Sequence, residues 1–241
     1  MENRRKFYKG GSWDGYTPYD RFVITQWALD AHLNHKGKPY IDNDELNFII
    51  KNAFVSKIYI SQAVVDDIDK VLISNPNILG KIRPIYDKLI SDNFLDYSYF
   101  DICKLGNVLN NKRKKFPKLP HIVVEHVVPG DVYLGKVKDF FIKGKYDSKV
   151  FDEIFNAVSI CLVSKDQDAS LNIYKSIMPL GYEDFIRYPF ARYDDELGGV
   201  KIDVHGWTMK DGRLDNGDEI SIQNAFTSKE EALGEPKNLR W

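Results

Sequence analysis

The sequence predicts an α+β protein, with an N-terminal helical block, a strand–helix–strand–helix core and a small β-rich C-terminal region. Three observations carry this. Apolar residues recur at helical spacing through most of residues 20–110. The run His121-Ile122-Val123-Val124-Glu125-His126-Val127-Val128-Pro129-Gly130 is β-branched and closed by Pro-Gly, the pattern of a strand. A second apolar run, 158–163, leads into Ser164 with Gln167 three residues on, the capping-box spacing that opens a helix directly after a strand.

Taken in order, residues 1–18 are basic and then rich in Gly and aromatics, and read as an arm or loop. Phe22, Val23, Trp27, Leu29, Ala31 and Leu33 suit one helix, closed by Lys36-Gly37-Lys38-Pro39. Asp42-Asn43-Asp44-Glu45 places acid at the positive end of the next helix, which continues to Phe54. Helices follow at 61–73 and 79–90, separated by Asn75-Pro76-Asn77, and a weaker helical pattern covers 100–110. The character changes at 110–120, a basic stretch stiffened by Pro117 and Pro120. The chain thus divides into a mainly helical region, 1–111, and a region 112–241 that holds the core and its β-rich extension. In the latter, helices are expected at 132–142 and 150–157, between the strands, and at 165–177. Short strands are expected at 200–204 and 219–222.

With 43% hydrophobic residues the chain has ample material for a core, which excludes a disordered tether. Its 34 basic and 35 acidic residues leave a formal charge of −1, so only local clusters can argue for nucleic acid. Cys103 and Cys161 are too few for a disulfide scaffold or a Cys-ligated zinc site, and read as small hydrophobes in a reducing cytoplasm. No signal peptide and no run long enough to span a bilayer is visible, so a soluble, cytoplasmic protein without a membrane partner is expected.

Glu125-His126 carries the sharpest chemical reading. An imidazole can take a proton from an attacking water at neutral pH, and a carboxylate can hold a divalent cation against phosphate charge. Neighbours on a regular strand face opposite ways, so the two share a site only if the strand bends, and Pro129-Gly130 is the feature expected to bend it. The competing reading makes His126 a hydrogen-bonded core histidine, because it shares parity with Ile122, Val124 and Val128. On the capped helix, Asp168 lies about one turn in, and Asn172 follows at i+4 on the same face.

Glu125-His126-Val127-Val128-Pro129, the second strand, and the segment Ser164-Lys165-Asp166-Gln167-Asp168 together resemble the HNH, or ββα-metal, nuclease family over about 50 residues. The resemblance implies a ββα-metal-like core with an inserted helix, His126 as general base, and Glu125 and Asp168 as ligands of Mg²⁺ or another divalent cation such as Mn²⁺. It makes Asn172 the alternative ligand or the residue that orients His126. The 130–156 insert is longer than in compact members, and a helix histidine and zinc-binding cysteines are absent. The basic cluster Lys112, Arg113, Lys114, Lys115 and Lys118 would then hold the DNA backbone, while Arg4, Arg5 and Lys6 read first as a frayed terminus and only second as an arm along a groove.

These features point to a metal-dependent DNA endonuclease, such as a restriction or phage-defence enzyme, and to a homodimer if its target is palindromic. The alternative is a non-catalytic nucleic-acid-binding or interaction protein with His126 in its core. Other features are weaker. Arg187 and Arg192 interleave with Tyr188, Phe190 and Tyr193 in a pattern suited to base stacking. Asp203 and His205, with Asp194, Asp195 and Glu196 upstream, form a second-choice metal site. Asp215, Asn216, Asp218 and Glu219 lack EF-hand spacing and read as turn residues.

Overall fold

The computed structural model describes residues 18–33, 41–93, 95–96, 99–143 and 146–215. The N-terminal arm, the 34–40 turn, the strand expected at 219–222 and the acidic residues after Asp215 lie outside them, as does the Cys103 side chain. The fold is α+β with an N-terminal helical block. Its order is α1 (Pro18–Leu33), α2 (Asn43–Ala53), β1 (Lys57–Ile60), α3 (Gln62–Ser74), α4 (Arg83–Ser91), β2 (Leu95–Asp96), α5 (Tyr99–Lys112), β3 (Ile122–His126), α6 (Gly130–Ile142), α7 (Ser148–Ala157), β4 (Ser159–Ser164) and α8 (Lys165–Leu171), then the hairpin β5 (Met209–Lys210) and β6 (Arg213–Leu214). Among the described residues no helix is long and apolar enough to cross a membrane.

Local chemistry explains the helix starts. Asp42 accepts from the Glu45 N–H at 2.8 Å and opens α2, with Asp44 and Glu45 favouring the dipole. Ser61 opens α3 by accepting from the Val64 N–H. Ser164 opens α8 with a full capping box: its Oγ accepts from the Gln167 N–H at 3.2 Å, and Gln167 Oε1 accepts from the Ser164 N–H at 3.0 Å. Gln167 Oε1 also accepts from Ser61 Oγ at 2.8 Å, tying the starts of α3 and α8 together. Ser164→Ala is expected to cost about 1 kcal/mol of stability, read as a shift of the urea midpoint.

One four-stranded sheet runs in the order β2-β1-β4-β3. β3 and β4 are antiparallel, with Ile122 opposite Ser164 and Glu125 opposite Cys161, while β1 runs parallel to β4. The strand β1 was not anticipated. Its four residues, Lys57-Ile58-Tyr59-Ile60, are all buried, and so short a run opened by a lysine carries little strand signal. It also joins the two regions: β1 and β2 come from residues 1–111, β3 and β4 from 112–241, and one apolar core draws on both. Both helices expected in the insert form, as α6 and α7.

The sheet has two unlike faces. Ile58, Ile60, Ile160 and Leu162 belong to the larger core, in which the buried Phe22 ring lies 5.1 Å from Phe141 and 5.4 Å from Phe151. Tyr59, Cys161, Val163 and Val127 belong to a smaller core closed by Leu171, Phe190, Tyr193, Ile202 and Val204. The C-terminal region is less regular than expected. The strand anticipated at 200–204 reduces to a single bridge between Ser61 and Val204. The hairpin β5–β6 turns on Asp211 and Gly212, both at positive φ, which suits a tight two-residue connection.

Candidate functional site

Side chains alternate without interruption from Ile122 to Val128. Val127 enters the smaller core and Val128 the larger one, so Glu125 and His126 occupy opposite faces. Pro129-Gly130 does not bend β3: Pro129 caps the start of α6. Gly130 is set so close to α2 that an added Cβ would lie 2.3 Å from Lys51 Cε.

On the smaller-core face, the Glu125 carboxylate meets Arg192. Arg192 Nη2 donates to Glu125 Oε1 at 2.9 Å, and Nη1 donates to the carbonyls of His126 at 2.7 Å and Val127 at 3.3 Å. The guanidinium is 1% exposed and the Glu125 side chain 23% exposed, so the pair plugs the end of β3 with the carboxylate towards the outside. A 3₁₀ turn, Ala191–Tyr193, delivers Arg192. That turn is held by the returning chain, where the Val200 N–H donates to the Arg192 carbonyl at 2.8 Å. Gly199 passes so near that a Cβ would lie 2.2 Å from the Ala191 carbonyl oxygen, leaving room for no other residue.

Burial raises the Glu125 carboxyl above its ordinary range, and the Asp168 charge pushes it the same way against the opposing Arg192 and Lys175. Asp168 lies half-buried in the first turn of α8, the helix that packs beside β3 and β4. Opposite Glu125 across the strand pair lies Cys161, whose buried thiol is raised by burial and by Glu125, and Tyr193 is buried in the same smaller core. The Tyr193 hydroxyl is buried and finds no hydrogen-bond partner among the described residues. The Arg192 Nε is likewise unpaired.

His126 does not join this group. Its ring lies 6.3 Å from that of Tyr133, on the α2–α6 side of the sheet. Burial brings its pKa from 6.5 down to about 4, the Lys51 and Arg192 charges add to this, and a hydrogen bond to the Lys51 backbone opposes it. Tyr133 donates to the Lys51 carbonyl at 3.2 Å, so strand and helix side chains converge on the last turn of α2. The shared site expected for His126, Glu125 and Asp168 is thus corrected: Glu125 and His126 point to opposite faces of the sheet, so the two do not meet around one cation, and His126 is half-buried against Tyr133. Because its folded pKa is depressed, the unfolded chain binds more protons between about pH 4 and 6.5, and stability falls as pH drops through that window. His126→Leu is expected to remove about 2 kcal/mol of the stability difference between pH 7 and 4, read by urea unfolding at both.

The α-helix ends at Leu171, and Asn172 is its exposed C-cap, with its N–H donating to Ala169 as the chain tightens into a 3₁₀ turn. In the basic cluster Lys114, Lys115 and Lys118 are exposed and Lys112 is partly so. Arg113 is committed to the loop, its Nε donating to the Leu119 carbonyl at 3.0 Å. This loop enters β3 beside the start of α8, where the Lys165 N–H donates to the His121 carbonyl at 2.9 Å. The strand alternation gives His121 the same parity as Glu125, about 13 Å along the strand.

Arg187 lies exposed over the Tyr188 ring at 5.0 Å, whereas Arg192 is an interior ion-pair residue and not a stacking group. The second-choice metal site separates. Both His205 nitrogens are engaged, Nδ1 with Gln62 Oε1 at 2.8 Å and Nε2 with the Ile90 carbonyl at 3.3 Å. Asp203 instead lines an open cavity of about 730 Å³ with Asp194, Asp195, Glu196 and Trp207. Among the described residues no group of three or more His, Cys, Asp or Glu side chains converges on a metal position.

Arg192, which the sequence pattern suggests for base stacking, is instead the partner of Glu125. An arginine inside the apolar run Phe190-Ala191-Arg192-Tyr193 was the available signal, since a buried guanidinium requires a carboxylate elsewhere in the chain. No protein-family model, curated protein or solved structure matches this chain.

Proposed function

We propose that the protein is a metal-dependent endonuclease that hydrolyses DNA phosphodiester bonds, in the manner of a restriction or phage-defence enzyme. The observation that carries this reading is that β3, which bears Glu125, and the first turn of α8, which bears Asp168, pack together beside β4. Two carboxylates supplied from there would suit Mg²⁺ or Mn²⁺, which retain water and complete their shell with substrate oxygens, so a full protein cage is not required.

In this reading Glu125 and Asp168 hold the cation, and Arg192 fixes the Glu125 carboxylate through its Oε1. A bound divalent cation supplies charge neutralisation at the phosphate and the leaving oxygen. Lys112, Lys114, Lys115 and Lys118 lie on the stretch that enters β3 beside the start of α8, where a DNA backbone would be held. His126, across the sheet, keeps α2 and α6 in place and takes no proton from the reacting water. A palindromic target would imply a homodimer.

The test is cleavage of supercoiled plasmid with Mg²⁺ or Mn²⁺ by the wild type, Glu125→Gln, Asp168→Asn and His126→Ala. Metal-dependent cutting that is lost in both carboxylate variants but retained by folded His126→Ala is the expected result. A second reading, a non-catalytic nucleic-acid-binding or interaction protein, is favoured by the position of His126 on the sheet face opposite Glu125, against Tyr133. Retarded but uncut DNA in a gel-shift assay of the wild type would decide for it.

A further inference from the structure

We propose that the turn at 182–188, with Arg213 from the β5–β6 hairpin, is a contact surface for single-stranded DNA. Its exposed guanidiniums take phosphates, and the layer of Arg187 over Tyr188 takes an unpaired base. This rests on the reading of the protein as one that binds DNA, and not on Glu125 and Asp168 as cation ligands.

The surface is built by tertiary packing. The N–H groups of Arg187 and Tyr188 both donate to the Asp184 carbonyl, at 3.0 and 2.9 Å, which curls the chain into a tight turn. The hairpin closes on it. The Phe190 N–H donates to the Gly212 carbonyl at 2.8 Å, and a Cβ on Gly212 would lie 3.3 Å from Tyr188 Cβ. Arg213 is thereby set against the turn, its Nε donating to the Arg187 carbonyl and its Nη2 to that of Ile186 at 3.5 Å. The exposed Arg187 guanidinium covers the half-buried Tyr188 ring at 5.0 Å, and Tyr182 stands edge-on to that ring at 5.1 Å.

Two like charges thus meet on one turn without a counter-charge. Both guanidiniums are exposed, and among the described residues neither pairs with a carboxylate. The two acids of the turn serve its own backbone: Glu183 Oε1 accepts from the Gly181 N–H at 3.0 Å, and Asp184 Oδ1 from the Ile186 N–H at 3.3 Å. From α6 the exposed Lys136 adds a third cation, its Nζ 5.4 Å from the Phe185 ring centre. Cations interleaved with rings fit a flexible polyanion that also carries flat apolar groups. Phosphate meets guanidinium, and a base plane meets the guanidinium that already lies over a ring. An acidic peptide offers the charge without the planes, and a duplex hides its planes inside the stack. Tyr188 lies four residues before Arg192, so its Cα is no more than about 14 Å from that of the arginine at the end of β3.

The test is fluorescence anisotropy of a labelled thymidine oligonucleotide with the full chain, in EDTA so that no strand is cut. Arg187→Ala is expected to weaken binding roughly tenfold, the worth of one stacked base, and to lose less against a duplex. Arg187→Lys should restore the salt dependence but not the affinity, because an ammonium keeps the charge and loses the plane. Arg213→Gln should lower affinity and reduce the salt slope by about one. These side chains are exposed, so the melting temperature should stay level in each variant. A wild type that binds no single strand would overturn the proposal, as would unchanged affinity in Arg187→Ala. So would an equal loss for single strand and duplex, or competition by poly-L-glutamate as strong as by unlabelled oligonucleotide. Binding without metal-dependent cleavage refutes the nuclease reading alone, and absent single-strand binding beside intact plasmid cleavage refutes this surface alone.

Discussion

Arg192→Ala is expected to destabilise the protein by about 4 kcal/mol, because it leaves a partly buried carboxylate and two inward carbonyls without their donor. The guanidinium makes three hydrogen bonds, to Glu125 Oε1 and to the carbonyls of His126 and Val127, at 1% exposure. Those carbonyls end β3, so no further ladder bond replaces them. Lysine cannot substitute, since a single ammonium does not reproduce the planar fork that reaches carboxylate and backbone together. The same physics predicts that the double variant Arg192→Met/Glu125→Leu regains most of the loss, because the burial penalties of both ions vanish together. Urea unfolding of the four proteins checks this. A loss below about 1 kcal/mol for Arg192→Ala would mean that the pair does not anchor the 3₁₀ turn to the sheet.

Asp168→Asn is expected to reduce plasmid cleavage at fixed Mg²⁺ by about a hundredfold or more, with partial recovery at high metal concentration. The side chain keeps its shape and loses its charge, so a folding defect is not the expected cause. A second readout comes from the Glu125 carboxyl. Burial first and the Asp168 charge next raise it above the ordinary range. Removing the Asp168 charge therefore lets Glu125 ionise at lower pH, and the acid limb of Mn²⁺ binding to the remaining carboxylate should move down, not up. An acid limb that stays in place would show that the two carboxylates do not share one site. The His126 variant behaves oppositely, with cleavage retained and acid sensitivity reduced.

Much of the secondary structure was legible in the residues. The capping box of Ser164 and Gln167 announced α8, Asp42 with its acidic neighbours announced α2, and the β-branched run after Pro120 announced β3. These are local signals, set by hydrogen bonds within one turn or by alternation along one strand. β1 escaped because a four-residue run opened by Lys57 is too short and too polar at its start to mark a strand. The end of α8 was read too late, because only the 3₁₀ tightening after Leu171 shows that Asn172 leaves the helix.

The site divided along the same line. Parity alone placed Glu125 and His126 on opposite faces, and the chain determined this as soon as β3 ran straight. Whether Pro129-Gly130 would bend the strand or begin a helix depended on the packing of α6 against α2, with Lys51 filling the space beside Gly130. The sequence by itself determined an α+β chain with a strand pair, a capped helix and an acidic residue on each. Only the tertiary structure decided that Arg192, far along the chain, pairs with Glu125. Charge pairing in the interior depends on distance in space, which local patterns do not encode.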